Sequence, residues 1–431
     1  MSRYNPFLHG NPVPPAHFRG RKSDLRRIVG RIVNAGESTS ITGSFRCGKT
    51  SILQYVSDSD LQSMLYGDKA ANLVFSYLDV GRLGSEFDQA QFWRSALGTL
   101  QARISSDDMA PALSEAYQVC QDNQFGNYVL EKLIDKIKQA NLRLVLLLDG
   151  FDALLHHKVL NSTEFFGGLR QLTTLSKGAL ALLITGNTSL SQLNKKTQHF
   201  NRTGSPYFNF MDEVILGPLA EVEINKLLRL GDDRFTADDC RFITEIAGGH
   251  PYLLQMAASV LWDAYEDGDK SDDLSQRRQH VAQEFCSKVI DKLDHTWASW
   301  SLDMLKVFSS VALMQMDTLT NPPSTPVRLK LDKNKLIQYI THLKLERDDL
   351  ERYGFLAEDE TVRGGWRVWT GVFLLFVAAK LEREISGEIN NYEKWLSHQQ
   401  NQLSSSDKGL LEKMSYFLTT TAWEGWFRAN I

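Results

Sequence analysis

Cysteine is scarce in this chain, with four residues among 431, at Cys47, Cys120, Cys240 and Cys286. No two of them stand in a C-x-x-C pair and no histidine pair lies beside them. That excludes the common zinc spacings and a dense disulfide framework. An excess of either charge is also missing: 48 lysines and arginines face 52 aspartates and glutamates, a formal net charge of −4. Such a balance does not advertise a nucleic-acid or membrane-surface binder, although it leaves room for a local patch. The longest apolar runs, Leu144 to Leu148 and Val368 to Ala379, are too short to span a bilayer. The opening MSRYNPFLHGNPVPP has no stretch of signal-peptide type. Export and membrane integration are therefore disfavoured, and a cytoplasmic location is expected. No repeat of solenoid or propeller period occurs. What is present is an ordinary globular composition, 42% hydrophobic and 23% charged, which excludes wholesale disorder and a coiled-coil rod. At about 150 residues per domain the length suggests two or three domains.

Strand and helix signals alternate over the first half. Leu25, Ile28, Val29, Ile32 and Val33 fall on one helical face, with Ser23 as N-cap and Gly36 as stop. Ser38 to Thr42 reads as a short strand running into a glycine loop and a further helix, whose inner face carries Ile52, Leu53 and Val56. Leu73 to Val80 is a second strand, and helices are expected around 87–104, 126–140 and 162–176. The unbroken apolar run Leu144 to Leu148 marks a strand buried on both faces of a parallel sheet. Leu180 to Thr185 and Glu213 to Leu216 read as further strands. This alternation predicts a doubly wound α/β layer. Beyond Pro218 the strand signals stop. Short helices over 220–265 are broken at Gly248-Gly249-His250-Pro251, and the polar segment 266–281 reads as a linker. Helices over 290–381, a loop at Asn321-Pro322-Pro323 and a two-strand signal around Gly364-Gly365 outline a winged-helix module. The tail from 386 is polar at Ser404 to Ser406 and aromatic at Trp423 and Trp426.

Gly43-Ser44-Phe45-Arg46-Cys47-Gly48-Lys49-Thr50 fits G-x-x-x-x-G-K-[ST] and lies between the first strand and its helix, where a phosphate-binding loop belongs. Glycines let the loop wrap phosphates with its N–H groups turned inward, and Ser51 continues the cradle. Lys49 would reach the β/γ oxygens of ATP or ADP, and Thr50 would hold Mg²⁺. Asp149, at the end of the buried Leu144 to Leu148 strand, is the expected acid on the Mg²⁺ side. The next position, where many P-loop ATPases carry a water-polarising glutamate, is Gly150. Asp152 is the nearest acid that could act as general base, and its displacement suggests slow hydrolysis. Thr185 and Asn187 end the next strand, where a polar side chain could sense the γ-phosphate or orient water; a simple Gly-Asn turn is the alternative. Arg202 could act as an arginine finger, with a solvated surface role as the alternative.

Asn5-Pro6-Phe7, Phe18-Arg19-Gly20-Arg21, the P-loop, Asp149-Gly150-Phe151-Asp152 and Gly249-His250-Pro251 stand in an order that resembles STAND-type signal-transduction ATPases. These are relatives of the archaeal ATPase and AAA+ groups. The resemblance covers about residues 5–265, and the winged-helix region more loosely. It implies that Phe18, Gly20 and Arg21 lie against adenine and ribose, and that Gly249 and Pro251 form the lid element that touches the base. Asp-Gly-Phe-Asp looks like the Walker B form of the NACHT branch, in which an acid three residues on does the catalytic work. No Met-His-Asp motif, repeat array or effector domain is recognisable, so the output would come through a separate effector protein.

The expected organisation is a P-loop ATPase core over 1–218, a helical lid over 219–266, a winged-helix-like domain over 282–385 and a helical tail over 386–431. The segment Leu343 to Arg352 carries Lys344, Arg347 and Arg352 against Glu346, Asp348, Asp349 and Glu351. Phosphate contact needs a positive excess, so nucleic acid is disfavoured as a partner and protein packing preferred. The resulting expectation is a switch driven by ATP, ADP and Mg²⁺ that forms a homo-oligomer or engages an effector in bacterial signalling or antiphage defence. A DNA-acting AAA+-like ATPase is the alternative.

Overall fold

The computed structural model describes residues 4–106, 111–200, 204–266, 274–319 and 333–385, with a few positions near 396 and 410–414. Arg202, Asn321 to Pro323, Trp423 and Trp426 lie outside the described residues. The chain separates into two compact units, one formed by Pro12–Leu216 and one by Met1–Asn11 with Gly217–Ile431.

The Pro12–Leu216 unit is α/β. Helix α1 (Lys22–Asn34) precedes strand β1 (Thr39–Gly43), then come α2 (Lys49–Ser57), α3 (Gln62–Tyr66) and β2 (Leu73–Asp79). Helices α4 (Gln89–Ala96), α5 (Gly98–Ser106), α6 (Pro111–Asp122) and α7 (Asn127–Gln139) lead to β3 (Arg143–Asp149). The unit closes with α8 (Thr163–Leu175), β4 (Leu180–Gly186), α9 (Leu190–Thr197) and β5 (Asp212–Leu216). The five strands are parallel in the order β2-β3-β4-β1-β5. Residues Leu144 to Leu148 of β3 are wholly buried, and the strand's period of two divides them between faces. Leu144, Leu146 and Leu148 pack with α4 to α8, whereas Val145 and Leu147 pack with Ile28 and Ile32 of α1 and Ile52, Leu53 and Val56 of α2.

Local sequence accounts for most of these boundaries, with differences at helix ends. The expected 87–104 helix is two: Asp88 caps α4 in a reciprocal capping box with Gln91, and the chain breaks at Leu97 before α5. Helix α1 starts one residue before the expected cap Ser23, behind Arg21 at φ 58°. The sequence reading omitted α6, whose apolar residues Leu113, Tyr117 and Cys120 form a short stripe.

Among the described residues the other unit is helical apart from one hairpin. It comprises α10 (Glu221–Leu228), α11 (Ala237–Ala247), α12 (Pro251–Glu266), α13 (Leu274–Ser299), α14 (Leu302–Leu319), α15 (Lys333–His342) and α16 (Lys344–Arg352). The antiparallel pair β6 (Leu356–Glu358) and β7 (Trp366–Val368) follows, then α17 (Gly371–Ile385). Helix α13 takes up 274–281, part of the segment read as a linker. A strap from the N-terminus belongs here too: Asn5 Nδ2 donates to Ser259 and Asp263, and the Leu8 N–H donates to Gln255. Phe7, 4% exposed, stacks on Phe235 at 5.5 Å. Between α13 and α17, Asp294 and Lys380 form a buried ion pair at 2.6 Å. Among the described residues no helix is long and apolar enough to cross a membrane.

Candidate functional site

Among the described residues, those read from the sequence as phosphate or metal contacts gather around the C-terminal ends of the parallel strands. The loop from Gly43 to Gly48 leaves β1 and enters α2, with Arg46 at φ 58° and Gly48 at φ 103°. Both angles lie in the left-handed region, which glycine adopts freely and arginine rarely does. Gly43 meets a close approach, because a Cβ there would sit 2.6 Å from Cys47 Sγ and 2.9 Å from the Leu216 carbonyl. Cys47 is buried inside the loop, whereas Phe45 and Arg46 face outward with the guanidinium 5.6 Å from the ring centroid. Lys49 Nζ folds back across the loop, donating to the carbonyls of Gly43 (2.9 Å) and Ser44 (2.8 Å) and to Asn187 Oδ1 (2.9 Å).

Asp149 is the hub of the site. Its Oδ2 accepts from Thr50 Oγ1 at 2.7 Å and from the Tyr77 hydroxyl at 2.9 Å, and its Oδ1 accepts from Thr185 Oγ1. Thr185 in turn accepts from the Gly150 N–H at 3.0 Å. Register explains the convergence: β4 lies between β3 and β1, so Thr185 sits beside Ile41 one residue before the strand ends. Burial and the Asp149 charge push the Tyr77 phenol well above its ordinary range, which keeps it a neutral donor. Asp152 does not face Thr50. Its Oδ2 accepts the backbone N–H groups of Asn187 and Thr188, anchoring the end of β4. A Cβ on Gly186 would come 2.8 Å from both Asp152 carboxylate oxygens, so the approach requires glycine.

On the α1 side, the Phe18 and Tyr55 rings lie 4.9 Å apart. Gly20 and Arg21 both take left-handed angles, and Arg21 Nη2 donates to the Cys47 carbonyl at 3.2 Å. Ser51 Oγ accepts the Val13 N–H at 2.9 Å. Pro251 belongs to the other unit, as the first residue of α12; the preceding Gly249 carbonyl accepts the Leu219 N–H at 2.8 Å. Tyr77 and Tyr55 are neighbours that sequence reasoning missed. Tyr77 could have been found, since it alternates with Asp79 along β2, and Asp79 pairs in register with Asp149. Among the described residues no group of three or more His, Cys, Asp or Glu side chains could hold a metal ion unaided.

A family model described as an AAA-like domain matches residues 18–267, more than half of the chain. Among solved structures, the Walker-type ATPase PABY2304 of Pyrococcus abyssi is 12% identical with a TM-score of 0.50, covering 86% of this chain and 99% of that one. The ORC2 protein of Aeropyrum pernix, in ADPNP–ADP complexes, is 14% identical with a TM-score of 0.47, covering 86% and 97%. Drosophila ORC bound to DNA is 13% identical with a TM-score of 0.43, covering 96% and 90%. At 12% identity the likeness to the Pyrococcus protein is one of fold. No curated protein matches the chain.

Proposed function

Because the chain belongs to the AAA-like domain family, we propose that it is an ATP-binding molecular switch that hydrolyses its nucleotide slowly. The observation that carries this reading is the convergence of Lys49, Thr50, Asp149 and Asn187 at one end of the sheet. Backbone N–H groups of the loop, including Ser44 to Gly48, and of Lys49 to Ser51 at the start of α2 cradle the phosphates, and the helix dipole favours their charge. Lys49 exchanges two carbonyls for β/γ oxygens. Asn187, tied to the same Nζ, registers whether a γ-phosphate is there.

Thr50 Oγ1 and Asp149 Oδ2 are hard oxygen donors 2.7 Å apart, a set that suits Mg²⁺. Bound there, Mg²⁺ would supply charge neutralisation at the transferring phosphoryl group. Asp152 holds the general-base role that Gly150 leaves unfilled, with Oδ1 taking the proton from water while Oδ2 stays on the β4 end. Phe18, Gly20 and Arg21 line the adenine and ribose side, and Pro251 belongs to the lid element. The resemblance to STAND-type ATPases supports nucleotide-controlled homo-oligomerisation and a separate effector protein, in bacterial signalling or antiphage defence.

The rival reading places the α14–α17 module on duplex DNA as a winged helix. Against it, two of the three bases of α16 are already engaged: Arg347 pairs with Asp348 at 2.8 Å and Arg352 with Asp349 at 3.8 Å. Calorimetric titration of ATP into Lys49→Ala tests the main proposal. Loss of detectable binding is expected, and wild-type affinity in that variant overturns it.

A further inference from the structure

The opposite end of the same sheet carries a second concentration of charge. Where β2, β3 and β4 begin, a cavity of about 380 Å³ is lined by Lys69, Lys138, Arg143 and Lys177, and no aspartate or glutamate is among its described lining residues. The chain as a whole has more acids than bases, so this local excess is not inherited from composition. Arg143 is the least exposed of the four. Its guanidinium donates to the carbonyls of Ile32, Val33 and Gly178, and no carboxylate pairs with it among the described residues. Burial pushes its pKa below the ordinary value, which signals a desolvated cation without a counter-charge.

Lys138 and Lys177 are exposed, and neither ammonium makes a hydrogen bond or ion pair among the described residues. Lys177 holds φ 50° immediately before Gly178, a helix-end position where glycine or asparagine is the less strained choice. The carboxamides of Asn34, Asn72 and Asn141 add neutral donors and acceptors, and Leu73 and Leu142 supply an apolar wall. The volume falls in the range of small-molecule sites, ~300–1,000 Å³.

We infer that this cavity binds a small phosphorylated ligand, about the size of a nucleoside monophosphate, at a site separate from the P-loop. A cluster of cations with carboxamides and an apolar wall matches a phosphate carried on a compact organic group. The two sites lie on opposite ends of β3, whose length from Arg143 to Asp149 is about 20 Å at ~3.3 Å per residue. The inference does not rest on the P-loop reading.

The test uses the full chain carrying Lys49→Ala, so that the P-loop is silenced, and titrates it with pyrophosphate and with adenosine monophosphate by calorimetry. Saturable binding of either probe is expected, with at least a tenfold loss in Lys138→Glu and in Lys177→Glu. Both substituted side chains are exposed, and an unchanged melting temperature would show that the fold is intact. Three outcomes overturn the inference: no binding of either probe, binding that both charge reversals leave unchanged, or binding of duplex DNA alone that those reversals abolish. The third would assign the patch to a nucleic-acid backbone. If Lys49→Ala keeps wild-type ATP affinity while the reversals remove it, the cavity is the ATP site and the P-loop proposal fails instead.

Discussion

Asp149 takes hydrogen bonds from Thr50, Tyr77 and Thr185, so its carboxylate has few orientations left. If it orients a metal-binding threonine, the hydroxyl of Tyr77 sets how well it does so. Tyr77→Phe removes one donor and leaves the ring in place, and a hydrogen bond to a charged acceptor contributes about 1.5–3 kcal/mol. The Mg²⁺ concentration for half-maximal turnover is expected to rise several-fold, while ATP binding measured in EDTA stays unchanged. Asp152 makes a different prediction. Asp152→Ala should bind ATP yet show no turnover, and undiminished hydrolysis would move the base elsewhere. Gly186→Ala should mimic part of that loss, because its Cβ displaces the Asp152 carboxylate. At this scale the P-loop and Asp149 were legible because both are short local patterns. Tyr77 was passed over, because a tyrosine in a strand reads as an ordinary β-former unless its alternation with Asp79 is followed to Asp149. The partnership of Asp152 with the β4 end depends on a long-range approach that spacing does not encode.

Elements were legible where burial leaves a clear apolar pattern along the chain. The β3 run announced itself because a central parallel strand is apolar on both sides, and β4 followed from the same rule, whereas β1 was marked by the glycine loop it runs into. Boundaries were less so, since capping by Asp88 or a left-handed Arg21 is decided by backbone geometry. Asp88→Ala is expected to destabilise the Pro12–Leu216 unit by about 1 kcal/mol in urea unfolding. Helix α11 gives a pH prediction. Burial pushes the Glu245 carboxyl from its ordinary 4.5 up to about 7, opposed by Arg241, Arg278 and Arg367, and its Oε2 has no hydrogen-bond partner among the described residues. A raised carboxyl pKa means that the folded state holds its proton longer than the unfolded state. The penalty is therefore absent below about pH 4.5, grows as pH rises toward 7 and is complete above it. Glu245→Gln should flatten the melting temperature over that window and raise it at pH 8; an unchanged profile would show that Glu245 is not the group responsible.

For the whole molecule, alternation of strands and helices gave the α/β class; the compact α/β unit itself runs from Pro12 to Leu216. The N-terminal strap was not foreseeable in its placement. Asn5-Pro6-Phe7 was visible as a motif, yet nothing local says that it packs on α12 rather than beside the P-loop. Phe7→Ala removes a ring held against Phe235 and Trp262, and such truncations cost about 3–5 kcal/mol. The unit containing α10 to α17 is expected to melt earlier in that variant by scanning calorimetry. The strap also sets an order of events during synthesis. Asn5 waits for Ser259, 254 residues further along, which at ~5–20 residues per second is roughly 13–50 s. Over that interval the Pro12–Leu216 unit can finish folding while Phe7 remains in water. On the ribosome, the earliest of these residues to emerge is among the last to be seated.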